Sequence, residues 1–116
     1  MNDLIFTPAR YYCPSGQIKQ VSIHLAETFF SRAVGLMGRR EFLGGDAVHI
    51  APCFAIHTFF MRMNIDLIFL DSNKGIIKIC KSVRPWRLRA YWLAKSVLEM
   101  PQGRAHQLGF SVGGRL

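Results

Sequence analysis

The stretch from Ile56 to Asp71, I-H-T-F-F-M-R-M-N-I-D-L-I-F-L-D, constrains the fold more than any other part of the chain. It is the most apolar part of the sequence, yet it carries His57, Arg62 and Asp66 among residues that read as core. A carboxylate removed from water costs several kcal/mol unless it is paired or hydrogen-bonded. The fold must therefore close around this segment and bring partners to Asp66. Arg32 and Arg62 are the cations expected to pair with it.

At 116 residues the chain is long enough for one domain and one real core, with an arm over 1–20 and a core over 21–116. Half of the residues are hydrophobic and 19% are charged, a balance that argues for a globular protein and against disorder. No apolar run approaches the roughly 18 residues that a membrane helix needs. The amino end, M-N-D-L-I-F-T-P-A-R, puts an acid where a signal peptide needs positive charge, so it reads as uncleaved and cytoplasmic. An odd set of cysteines, Cys13, Cys53 and Cys80, with no close pair suggests reduced thiols. A formal charge of +8 favours anionic partners such as nucleic acid, phosphates, acidic lipid or acidic protein surfaces.

Along the chain, residues 1–17 read as irregular, with Tyr11 and Tyr12 as anchors on the core. Val21, Ile23 and Leu25 alternate with the period of a half-buried strand. Ala26, Phe29, Phe30, Ala33, Val34 and Met37 then fall on one helical stripe, which predicts the main helix over Thr28–Met37. Ala47 to Ala51 reads as a short strand, and His57 to Arg62 and Leu67 to Asp71 as two more, or as one bent at Met63-Asn64. The loop Asp71-Ser72-Asn73-Lys74-Gly75, with Gly75 free to take positive φ, joins the last of these to a strand over Ile76–Val83. Ser96 to Met100 forms another strand, Arg104 to Leu108 a helical turn, and Phe110 to Leu116 a closing strand. The expected class is α+β and mainly β: a compact antiparallel sheet, curled into a sandwich or barrel, with one main helix packed on it.

Two constellations could carry function. The first is the polar set Arg32, His57, Thr58, Arg62, Asp66 and Glu99, able to do acid–base chemistry or clamp an anionic ligand, or else to serve as a structural network. The second is Arg84, Trp86, Arg87, Arg89 and Trp92, whose arginines suit phosphates and whose rings suit stacking, or else pin a loop to the core. His49, Cys53 and His57 are spaced four apart, but Pro52 interrupts them and no paired metal motif supports them, so no metal site or cofactor is expected. No cysteine or serine has a nucleophile's context, and no glycine-rich phosphate loop is present.

Five motifs in order give a resemblance: R-A-V-G-L-M-G-R at Arg32–Arg39, H-T-F-F-M-R at His57–Arg62, I-D-L-I-F-L-D at Ile65–Asp71, P-W-R at Pro85–Arg87 and V-L-E-M-P-Q-G at Val97–Gly103. From about Val21 onward the chain resembles the DUF192 family, small bacterial and archaeal domains of uncharacterised function. The resemblance implies a compact β-rich fold with one helix, no established activity, and the cytoplasmic branch of a family whose members often carry a leader. The chain departs from the family pattern at Ala47-Val48-His49-Ile50 and at Gly113-Gly114. The expected function is a non-catalytic binding or accessory module with a basic face for an anionic partner. The alternative is an enzyme or small-ligand domain built on His57, Asp66 and Glu99.

Overall fold

The computed structural model describes residues 5–26 and 45–116. The expected helix at Thr28–Met37, and Arg32 with it, lies outside the described residues.

The apolar run at the middle of the chain becomes β5 (Ile65–Leu70), in which every side chain is buried. Such a strand has no solvent face because cover lies on both sides of its sheet. On one side Leu67 and Phe69 pack with Val48, Ile50, Val83 and Val97. On the other, Ile68 and Leu70 pack with Tyr11, Leu98, Met100 and Phe110. Each fully buried aliphatic side chain of this kind contributes about 1.5–3 kcal/mol.

Around β5 the chain adds β1 (Thr7–Tyr12), β2 (Ile18–Ala26), β3 (Ala47–Ile50), β4 (Ala55–His57), β6 (Ile76–Val83), β7 (Leu88–Ala90), β8 (Ser96–Pro101) and the short helix α1 (Arg104–Gln107). Six strands form one sheet in the order β1-β2-β3-β8-β5-β6, and β4 and β7 pair as a second. The protein is thus mainly β, as its alternating patterns predict.

The all-antiparallel expectation needs correction, because β2 and β3 run parallel. Parallel neighbours need a crossover of a dozen or more residues, and residues 27–46 supply that length. Nor is the sheet a closed barrel. Its end strands β1 and β6 do not pair with each other, and both are tied at one end through Arg115, which bridges Tyr12 and Gly75. The predicted closing strand over Phe110–Leu116 is therefore only this bridge.

Three local readings also change. Residues 7–12, read as irregular, form edge strand β1, where Pro8 is tolerated. Tyr11 does anchor: it is wholly buried, its hydroxyl donates to Gly109 O and accepts from Ser111 N, and its ring lies against Phe110. Gly114 lets that ring approach, since a Cβ there would collide with the Tyr11 hydroxyl oxygen. In the 71–75 loop Lys74, not Gly75, takes positive φ. Gly75 leaves space instead, because a Cβ there would come within 2.9 Å of the Asp71 carboxylate. Finally, the strand predicted over His57–Arg62 ends at His57. Thr58 O accepts from Met61 N at 3.3 Å, closing a turn with Phe60 at φ 64°.

Candidate functional site

The polar set read from the sequence is dispersed by the sheet. Asp66 pairs across the ladder with Met100, and Leu67 with Glu99. Neighbouring residues of a strand point to opposite faces, so the two acids project from opposite sides of the sheet.

Asp66, 1% exposed, is held by backbone amides, and no cation pairs with it among the described residues. Its Oδ1 accepts from Ser82 N at 2.9 Å, and its Oδ2 accepts from Gly103 N at 3.1 Å and Ala105 N at 3.2 Å. Ser82 reaches it because the β5–β6 register slips beside Asp66 and Ser82 adopts φ 55°. The other two amides open α1, so the carboxylate satisfies donors that the helix leaves orphaned. The expected partner Arg62 is exposed and forms no ion pair with it.

Glu99 is 7% exposed on the face lined by its strand neighbours Val48 and Leu67, and no hydrogen bond holds its carboxyl among the described residues. Burial alone pushes its pKa up to about 8. His49 lies in β3, one residue from Val48 and so on the opposite face, with a buried Nε2 that has no hydrogen-bond partner among the described residues. Burial, together with the charge of Lys74, lowers its pKa. The described residues bring no three His, Cys, Asp or Glu side chains together as a metal site.

Part of the second constellation, Arg84, Trp86 and Arg87, is gathered, and Thr58 gathers it. Fully buried, Thr58 donates from Oγ1 to Arg84 O at 2.7 Å and accepts there from Arg87 N at 2.9 Å. Its backbone N–H donates to Arg87 O, and its carbonyl accepts from Trp86 N. The turn after β4 and the turn before β7 are thereby fastened side by side. Their aromatic rings meet on the outside. Phe59 stacks on Trp86 with centroids 5.6 Å apart, Phe60 meets Trp86 edge-on at 4.7 Å, and His57 lies 5.0 Å from Phe59.

These rings remain wet: Phe59 is 38% exposed, Trp86 55% and Phe60 59%. Phe60 and Trp86 also hold left-handed backbone, at φ 64° and 63°. That conformation is uncommon for bulky residues and costs about 1–3 kcal/mol at each. Exposed rings on strained backbone return little of that cost through burial.

Arg84 and Arg87 are exposed beside the rings, and Arg89 is half-buried. The Arg87 guanidinium donates to the carbonyls of Pro85 and Trp86, and that of Arg89 to the carbonyl of Leu88. No described carboxylate answers these cations. Asp46 is bound to Ser22 and paired with Arg104, Asp66 is buried, Asp71 accepts from Asn73 N and Gly75 N, and Glu99 is buried. Trp92, 77% exposed, joins none of the ring contacts. Sequence reasoning named Arg84, Trp86 and Arg87 but not Phe59 and Phe60 as partners of the same surface. The signal was the paired Phe59-Phe60, which a regular strand would have sent to opposite faces.

The DUF192 family model, described as Uncharacterized ACR, matches residues 11–116. A UPF0127 protein of Pyrococcus abyssi is 36% identical over 100 residues, covering 81% of this chain and 83% of that protein. Another from Pyrococcus furiosus is 32% identical over 107 residues, covering 87% and 90%. Two solved structures share the fold. A candidate transcription regulator from Sinorhizobium meliloti has a TM-score of 0.86 at 21% identity over 99% of this chain and 95% of its own. A protein of unknown function from Novosphingobium aromaticivorans has a TM-score of 0.82 at 23% identity over 97% and 84%.

Proposed function

The chain belongs to the DUF192 family, and from that premise we propose that it is a non-catalytic binding or accessory module whose basic face engages an anionic partner. The observation that carries this reading is the internal use of Asp46, Asp66, Asp71 and Glu99, which leaves Arg84 and Arg87 exposed without a described counter-charge. A chain of formal charge +8 whose described carboxylates are buried or already bonded within the fold presents a field that attracts phosphates or acidic groups. No described helix is long and apolar enough to cross a membrane. The odd set of cysteines, Cys13, Cys53 and Cys80, with no close pair in sequence, supports placing the module in the cytoplasm.

Heparin chromatography tests the reading. The protein should be retained at low salt and released as salt rises, because counter-ions compete for the same arginines. Arg84→Ala/Arg87→Ala/Arg89→Ala should elute at clearly lower salt. Flow-through of the wild type at low salt, or unchanged elution of the triple variant, would count against it.

A further inference from the structure

We propose that the anionic partner is single-stranded nucleic acid, and that its bases stack on the platform formed by Phe59, Phe60 and Trp86 beside His57. This rests on the basic face described above and adds recognition of the base. Charge alone needs no aromatic rings, and a loop pinned to the core would bury them. Here they are turned outward, in ring contact with one another, and fixed by a fully buried threonine. Single-strand binders combine these two elements, cations that follow the backbone and exposed rings that take bases without demanding a sequence. Arg84 and Arg87 leave the same turn as Trp86, which puts the cations next to the stacking surface. A duplex keeps its base faces covered and could use only the charge.

The strained backbone gives a clean perturbation. Glycine adopts positive φ without penalty, so Phe60→Gly removes a ring and relieves strain at once. With oligodeoxythymidine as ligand at low salt, the proposal expects about a tenfold or greater loss of affinity in Phe60→Gly and in Trp86→Gly, with denaturation midpoints not lowered. Elution from heparin, a polyanion without bases, should barely change in either variant. In a Trp92→Phe background, oligodeoxythymidine should quench the fluorescence of Trp86.

Unchanged oligonucleotide affinity in both glycine variants would overturn stacking while leaving the charge reading intact. Absence of heparin retention in the wild type would remove the charge reading instead. A wild type that sediments as a dimer, with Phe60→Gly monomeric and equal in oligonucleotide affinity, would make the platform a self-association surface and overturn the proposal.

Discussion

Replacing Glu99 with Gln should flatten the dependence of stability on alkaline pH. The native carboxyl titrates near 8 because burial disfavours its charged form, against an ordinary value of 4.5. Between those values the folded protein keeps a proton that the unfolded chain has released. Stability from this group is therefore complete below pH 4.5 and disappears as pH rises through about 8. A shift of this size corresponds to about 5 kcal/mol over the whole window, near 1.4 kcal/mol for each pH unit. Total stability of a domain is about 5–15 kcal/mol, so the effect is a large share of it. Gln imitates the protonated acid and cannot ionise. In urea midpoints measured from pH 5 to pH 9, the wild type should lose stability relative to Glu99→Gln steadily as pH rises toward about 8, with the two close at the acid end. His49 works in the opposite sense, since its lowered pKa removes stability as pH falls, and Glu99→Gln should retain that acid-side slope. Parallel wild-type and Glu99→Gln profiles up to pH 9 would refute the idea that Glu99 is a buried, unsupported acid.

Asp66→Asn should destabilise the protein by about 2–4 kcal/mol, because the amide offers one acceptor oxygen to three backbone donors and turns its own N–H groups toward them. Hydrogen exchange should show Gly103 and Ala105 N–H losing protection first, and a protection pattern equal to wild type would contradict the assignment. Thr58→Val keeps the shape but leaves Arg84 O and Arg87 N without their side-chain partner, at a cost of about 1–3 kcal/mol. Its melting midpoint and its affinity for oligodeoxythymidine should fall together, and a change in neither would deny Thr58 its fastening role.

Local sequence determined a good deal of this protein. Alternation at Val21 and Ile23, the apolar run through β5, and the Asp71–Gly75 loop each set a strand or a turn through interactions a few residues long, although Leu25, expected on the same buried face, is 47% exposed. The demand for partners at Asp66 was equally legible, since an acid inside an apolar strand has to be satisfied somewhere. Its partners were not, because they lie 16, 37 and 39 residues away and arrive through a slipped register and a helix end. Pairing across β5 and β8 also decided which acids could cooperate. Once Asp66 stood opposite Met100 and Leu67 opposite Glu99, strand alternation sent the two carboxylates to opposite faces. The aromatic surface arose in the same way. Phe59 and Phe60 read locally as ordinary apolar residues, and only Thr58, hydrogen-bonded 26 and 29 residues along the chain, turns them outward together with Trp86. Periodicity reports which face a residue takes within its own element. Convergence of side chains depends on register between elements, which is set by the summed packing of the whole sheet.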